Sequence, residues 1–255
     1  MTPPVEFRAG QPRWMDLLSR DPDAAAAFYT GLLGWTTEVS PPEYGGYISF
    51  KSEGKYVAGM MDNPPESGVD DQWTVYLDIA DADATAAAAR AHGGEVRELQ
   101  RIDDMGVWMV LTDPTGARVG GWQNLSHSGF EVVEGPGAPV WAELHTRDYA
   151  TAVSFYETVF AWQTEVMSDT DEFRYTTLGA SPDAVAGIWD ASATLPEIEP
   201  SFWDVYFGVE NANDAAVRVT ELGGTMLEQV TDSEYGRMAH AVDPTGAKFA
   251  ILQVD

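Results

Sequence analysis

Proton transfer needs a group that titrates near neutral pH and a neighbour that tunes it. One stretch of this chain supplies both, Trp141-Ala142-Glu143-Leu144-His145. Side chains alternate between the faces of a strand, so Glu143 and His145 share one face. A carboxylate beside an imidazole raises the imidazole pKa and makes an acid–base pair, and these two residues are the catalytic candidates. The same pair also reads as a polar cavity wall with a hydrogen-bonded structural histidine, or as part of a new metal site. Other chemistries lack their groups. The chain has no cysteine, which excludes disulfides, thiolate nucleophiles and Cys-ligated metals. Ser126 and Ser128 flank His127 by composition rather than as a triad. The glycine pairs 45–46, 93–94 and 223–224 read as turns or helix ends, not a phosphate loop. His92, at a helix end, and His127, in a polar stretch, read as surface residues.

The elements that position these residues come from a repeat. Asp113-Pro114-Thr115-Gly116-Ala117 recurs as Asp243-Pro244-Thr245-Gly246-Ala247, each between two apolar runs. Asp-Pro opens a tight turn and Gly accepts a positive φ, so each copy reads as a hairpin turn. Upstream, Trp14-Met15-Asp16-Leu17 aligns with Trp141-Ala142-Glu143-Leu144, Phe28-Tyr29 with Phe155-Tyr156, and Trp35 with Trp162. Further on, Val57-Ala58-Gly59 meets Val185-Ala186-Gly187, and Trp73-Thr74-Val75-Tyr76 meets Trp203-Asp204-Val205-Tyr206. The halves are residues 12–123 and 139–253, joined by a polar, Gly-rich linker at 124–138 that reads as exposed. Each half divides again. Asp21 caps a helix that starts at Pro22 and stops at Gly34, and three short strands follow. A strand over 72–79 leads to an Ala-rich helix over 82–91 and three more strands, and the second half repeats the order. The chain thus reads as four βαβββ modules, an α+β fold.

Composition bounds the partners. Acids outnumber bases 41 to 14, for a formal net charge of −27. That balance argues against nucleic acid, anionic membranes and phosphate-rich cofactors, and suits solubility, salt adaptation or cationic ligands. No apolar run is long enough for a membrane span, and the N-terminus lacks a signal-peptide core. With no cysteine, a cytoplasmic location is expected.

Paired βαβββ modules with a D-P-x-G turn before the last strand, and D-x-x-x-A-x-x-F-Y on the first helix, resemble the vicinal oxygen chelate superfamily. Its members include glyoxalase I, extradiol dioxygenases and bleomycin-resistance proteins, and the resemblance covers nearly the whole chain in two copies. It implies two tandem glyoxalase-like curved half-barrels, each with a ligand cavity inside the curve. On that frame Trp14, Asp16, Thr74 and Tyr76 face the first cavity, joined by Trp108 and Trp122. Trp141, Glu143, His145, Asp204, Tyr206, Met238 and His240 face the second. Family enzymes hold a divalent metal there, but the family's positions fall on Trp14 and Trp141, Thr74 and Asp204, and Gly120 and Ala250. Only Asp204 could ligate, so no metal and no cofactor are expected. At the places of Glu143, His145, Asp204 and His240 the first half has Asp16, Leu18, Thr74 and Val110.

The expectation is therefore a metal-free protein that binds a small aromatic or cationic molecule, an antibiotic or a metabolite, between Trp and Tyr walls. The alternatives are an enzyme of the superfamily and a regulatory or structural protein with closed cavities. The enzyme would be either a metal-free lyase or isomerase using Glu143 and His145, or a glyoxalase-like enzyme or dioxygenase with a relocated metal. Because the two-copy chain pairs its own halves, a monomer or loose homodimer is expected.

Overall fold

The computed structural model describes residues 5–41 and 45–254. The first half comprises β1 (Pro12–Ser19), α1 (Pro22–Leu33), β2 (Thr36–Val39), β3 (Ile48–Ser52) and β4 (Lys55–Asp62), then β5 (Gln72–Asp78), α2 (Ala82–Ala91), β6 (Glu95–Ile102), β7 (Gly106–Thr112) and β8 (Arg118–Asn124). The second comprises β9 (Pro139–Thr146), α3 (Tyr149–Val159), β10 (Thr164–Asp169), β11 (Arg174–Leu178) and β12 (Gly187–Asp190), then β13 (Phe202–Val209), α4 (Ala212–Glu221), β14 (Thr225–Met226), β15 (Thr231–Ser233), β16 (Gly236–Val242) and β17 (Lys248–Gln253). The α+β fold of four βαβββ-like modules stands, with the strand that is continuous as β6 interrupted in the last module into β14 and β15, both paired with β16. The helices start where the sequence caps them. Asp21, Asp81, Asp148 and Asn211 each accept a backbone N–H of the first turn. Gly34 ends α1 in the left-handed conformation that favours glycine. Among the described residues, no helix is long and apolar enough to cross a membrane.

Each half makes one sheet. The first runs β2-β3-β4-β1-β5-β8-β7-β6, and the second β10-β11-β12-β9-β13-β17-β16-β14, with β15 on β16. At the centre of each, the opening strands of its two modules pair antiparallel, Asp16 opposite Thr74 and Glu143 opposite Asp204. The sheets are open curves rather than closed barrels, because their end strands do not pair. One face of each sheet packs on helices. Met15, Leu17, Val75 and Leu77 lie there fully buried, as do Val205 and Phe207.

The halves share one core. Phe28 and Tyr29 of α1 meet Phe249 of the second sheet with ring centroids 5.7 and 5.6 Å apart, and Tyr29 also meets Phe207 at 6.0 Å. Two reciprocal hydrogen bonds tie the halves, each made by a tyrosine that a tryptophan of its own half holds in place. The Tyr29 hydroxyl donates to Asp243 Oδ2 at 3.1 Å and accepts from Trp73 Nε1 at 2.9 Å. The Tyr156 hydroxyl donates to Asp113 Oδ2 at 2.9 Å and accepts from Trp203 Nε1 at 2.9 Å. The other oxygen of each aspartate holds its own D-P-T-G turn, taking N–H groups of Thr115 and Ala117, or of Thr245, Gly246 and Ala247. Trp35 Nε1 donates to Gly137 O just ahead of β9, and Trp162 Nε1 donates to Gly10 O just ahead of β1.

The connector after β8 departs from the exposed linker expected. Its backbone binds the first sheet: Phe130 N–H donates to Arg13 O at 2.9 Å and Glu131 N–H to Tyr56 O at 2.9 Å. Phe130 is buried against Trp14, ring centroids 5.6 Å apart. A polar composition predicts exposure, but these amides find partners on β1 and β4.

Candidate functional site

On the inner face of the first sheet, alternation along β1 turns Trp14 and Asp16 away from the helices. Asp16 is buried, and its Oδ1 accepts from the Tyr47 hydroxyl at 2.6 Å and from Trp14 Nε1 at 2.9 Å. Trp14 Nε1 also lies 2.8 Å from the Tyr47 hydroxyl oxygen, which closes a triangle of three polar groups. Gly59 makes this possible: a Cβ there would sit 1.7 Å from the Tyr47 hydroxyl and 2.3 Å from Asp16 Oδ1. Tyr76, on β5 opposite Trp14, is fully buried. Its hydroxyl lies close enough to Asp16 to favour the anion but outside hydrogen-bond geometry, and has no partner among the described residues. Burial pushes the Asp16 carboxyl up to about 6, against the hydrogen bonds from Tyr47 and Trp14 and the nearby Tyr76 hydroxyl, which favour its anion.

These residues line a cavity of about 690 Å³ together with Trp108 of β7, Trp122 of β8, Tyr56 and His127. His127 corrects the surface assignment. It sits half-buried with its ring edge-on to Trp14 at 4.8 Å, and its carbonyl accepts from Trp122 Nε1 at 3.0 Å. Burial lowers its pKa, so it faces the cavity as a neutral ring. Charged lining residues are Asp16, Glu38, Glu98 and Asp103 against Arg101. Thr74, expected on this wall, is buried beside it and accepts from Arg118 Nε at 3.2 Å. A crevice of about 780 Å³ between the halves shares no lining residue with this cavity.

The second sheet repeats the constellation and adds to it. The Tyr175 and Tyr206 hydroxyls both donate to the Glu143 carboxylate, the latter at 3.3 Å, and Trp141 Nε1 donates to the Tyr175 hydroxyl at 3.2 Å. Trp14, Asp16, Tyr47 and Tyr76 thus correspond to Trp141, Glu143, Tyr175 and Tyr206. The additions are two histidines. His145 lies buried between Trp189 and Phe202, ring centroids 4.9 and 4.8 Å away. Its Nε2 is 2.8 Å from Glu143 Oε1, yet the direction is wrong for a hydrogen bond, and the atom has no hydrogen-bond partner among the described residues. His240 lies with Nε2 3.3 Å from Asp204 Oδ2 and Nδ1 2.6 Å from Glu228 Oε1. Burial disfavours its charged form, but the two carboxylates outweigh that and raise its pKa to about 9. Met238 shares the His240 face of β16, half-buried, two residues before it.

The family's metal positions do not fit a metal in the first domain. Trp14 Nε1 is a donor bound to Asp16, and at Gly120 the Tyr76 ring fills the space, 2.1 Å from where a Cβ would stand. In the second domain those positions are Trp141, Asp204 and Ala250, so Asp204 alone offers a ligand. Tyr47, Tyr175, His127 and Glu228 were missing from the sequence-based site. The tyrosines carried a signal: Tyr47 and Tyr175 stand 128 apart, the offset of the Val-Ala-Gly match.

The family model described as the Glyoxalase/Bleomycin resistance protein/Dioxygenase superfamily matches residues 12–120 and again 138–251. "Putative glyoxylase CFP32" of Mycobacterium tuberculosis is 35% identical over 254 residues, covering 97% of this chain and 96% of that protein. "Anthracycline biosynthesis protein DnrV" of Streptomyces peucetius is 36% identical over 269 residues, covering 98% and 95%. The fold is that of the 2,3-dioxygenase LapB of Pseudomonas sp. KL28, with a TM-score of 0.68, 12% identity and coverage of 98% and 94%. It is also that of the Mn(II)-bound glyoxalase of Novosphingobium aromaticivorans, with a TM-score of 0.65, 16% identity and coverage of 96% and 82%. With the repeat, both sheets and the family match in agreement, the chain belongs to the glyoxalase/bleomycin resistance protein/dioxygenase superfamily.

Proposed function

We propose that the first domain binds a small, flat aromatic molecule carrying a cationic or hydrogen-donating group, without a metal. The observation that carries this reading is the Asp16 carboxylate at the floor of a cavity walled by Trp14, Tyr76, Trp108 and Trp122. Aromatic faces stack on planar ligands and attract cations. The lining's four carboxylates against one guanidinium disfavour anions. The partnerless Tyr76 hydroxyl supplies a further polar contact, since a buried hydroxyl without a partner costs free energy that a ligand can recover. A relative named for anthracycline biosynthesis points to the same ligand class, because anthracyclines are planar polycyclic aromatics. A cavity of about 690 Å³ lies within the range of small-molecule sites.

A second reading has one specific observation behind it. A carboxyl with its pKa raised to about 6, beside a tyrosine hydroxyl, is poised to take a proton from a bound ligand near neutral pH. In that case Asp16 is the base and the same cavity is an active site.

The test is tryptophan fluorescence quenching by ethidium, a planar aromatic cation, by an anthracycline, and by a sulfonated anthraquinone as the anionic control. The cations should bind, and Asp16→Asn should weaken them ~10-fold or more, as expected for losing a charged partner worth ~1.5–3 kcal/mol. Equal binding of the anion, or affinity untouched by Asp16→Asn, would overturn the reading.

A further inference from the structure

We propose that the second domain binds one first-row divalent metal ion through His145, Asp204 and His240, a site displaced from the family's own. One ligand atom from each of these residues lies within 4.8 Å of the other two, the arrangement that distinguishes this cluster among the described residues. Two donors ~2.05 Å from a tetrahedral ion stand ~3.3 Å apart. His240 Nε2 and Asp204 Oδ2 are 3.3 Å apart as they stand. His145 needs a small side-chain movement to close the third edge.

Three independent features mark the cluster as built for a ligand. The first is His145 Nε2, in a side chain nine-tenths buried, without a hydrogen-bond partner among the described residues. Glu143 Oε1 stands 2.8 Å away but off the direction of a hydrogen bond, while its carboxylate accepts from Tyr175 and Tyr206. The second is Glu228. It sits 2.6 Å from His240 Nδ1 and also accepts the His240 backbone N–H at 3.2 Å. A carboxylate on one ring nitrogen fixes the tautomer and turns the other nitrogen toward an ion, which is the usual outer partner of a metal-bound histidine. The third is the comparison within the chain. The first domain has Leu18, Thr74 and Val110 at these three places and otherwise keeps the same Trp, acid and two tyrosines. The ligating set is therefore an addition to a common frame.

The donor set is two imidazoles and one carboxylate. It selects borderline ions such as Zn²⁺, Co²⁺ or Fe²⁺ over Mg²⁺ and Ca²⁺, which prefer all-oxygen cages. Three protein donors leave a coordination position for water or a small oxygen ligand. His240 keeps 24% of its side chain open to solvent, and the ion reaches the cluster from that side.

The experiment uses the full chain, stripped with a chelator and titrated with Co²⁺ and Zn²⁺ by visible absorption and calorimetry. One equivalent of Co²⁺ should bind with the d–d bands of a four- or five-coordinate site, and Zn²⁺ should displace it while millimolar Mg²⁺ and Ca²⁺ do not. His145→Ala and His240→Ala should abolish the bands. Glu228→Gln keeps all three ligands and should weaken binding ~10–100-fold. Asp16→Asn, in the other domain, should bind as the parent does, which separates this site from the proposed ligand cavity. The parent titration needs no variant to fold: absence of a saturable one-equivalent site in the parent overturns the proposal. So does full binding by folded His145→Ala or His240→Ala protein, which would place the ion among surface carboxylates.

Discussion

Replacing Tyr29 or Tyr156 with phenylalanine removes one oxygen from the seam between the halves. The Tyr29 hydroxyl joins Asp243 at 3.1 Å to Trp73 Nε1 at 2.9 Å, and all three residues are buried. Its loss leaves a buried carboxylate oxygen one donor short and a buried indole N–H without an acceptor. A hydrogen bond to a charged group is worth ~1.5–3 kcal/mol and a neutral one ~1 kcal/mol, so Tyr29→Phe should cost ~2.5–4 kcal/mol. Tyr156→Phe breaks the matching pair to Asp113 and Trp203 and should cost the same. The double variant should lose nearly the sum if the two seams act independently. Urea unfolding followed by fluorescence and by far-UV circular dichroism measures this. The midpoint should fall while the slope stays constant, in one transition, because the halves share a core. A cost below ~0.5 kcal/mol for each variant, or two separate transitions in the parent, would refute the reasoning.

The other predictions concern the first cavity. Asp16 has a folded pKa of about 6 against the usual 3.8, so the folded state holds more protons between those values. The contribution of Asp16 to stability should be greatest below about pH 4, fall by roughly 3 kcal/mol as pH rises to about 6, and level above it. Asp16→Asn should lose this slope and be the more stable protein at pH 8; parallel pH–stability curves for the two would show the assignment to be wrong. Gly59→Ala drives a Cβ to 1.7 Å from the Tyr47 hydroxyl. It should displace Tyr47, destabilise the protein by ~1–3 kcal/mol and weaken ethidium binding, and an unchanged near-UV spectrum would count against it.

Much of the fold was legible because its signals are local. Asp21 with Pro22 announces a helix start, and the two D-P-T-G turns announce hairpins. Alternation along β1 and β5 put Trp14, Asp16 and Tyr76 on one face, and the three do line one cavity. The same rule put Thr74 there too, but alternation assigns a face and not a depth, and the hydroxyl is taken by Arg118. Tyr47 lies just before β3, where periodicity assigns no face, and only the closing of β3 on β4 brings it to Asp16. His145 and His240 belong to strands separated in the sheet by β13 and β17. Their meeting depends on curvature, which no spacing in the sequence encodes. His127 was read from a polar stretch, and its burial comes from backbone bonds made across the first sheet.

The connector has a consequence for how such a protein diverges. Joining two copies of a domain end to end makes two inner sheet faces but one junction. Here the junction is spent on the first cavity, where His127 closes a wall against Trp14 and Trp122. Fusion therefore breaks the equivalence of the two sites at the moment it occurs, before any residue inside them changes. One pocket inherits a tethered strip of chain that can be rewritten without disturbing a strand of the sheet. The other remains free to gather new side chains from its own strands, and it is the second sheet that has gathered the histidines.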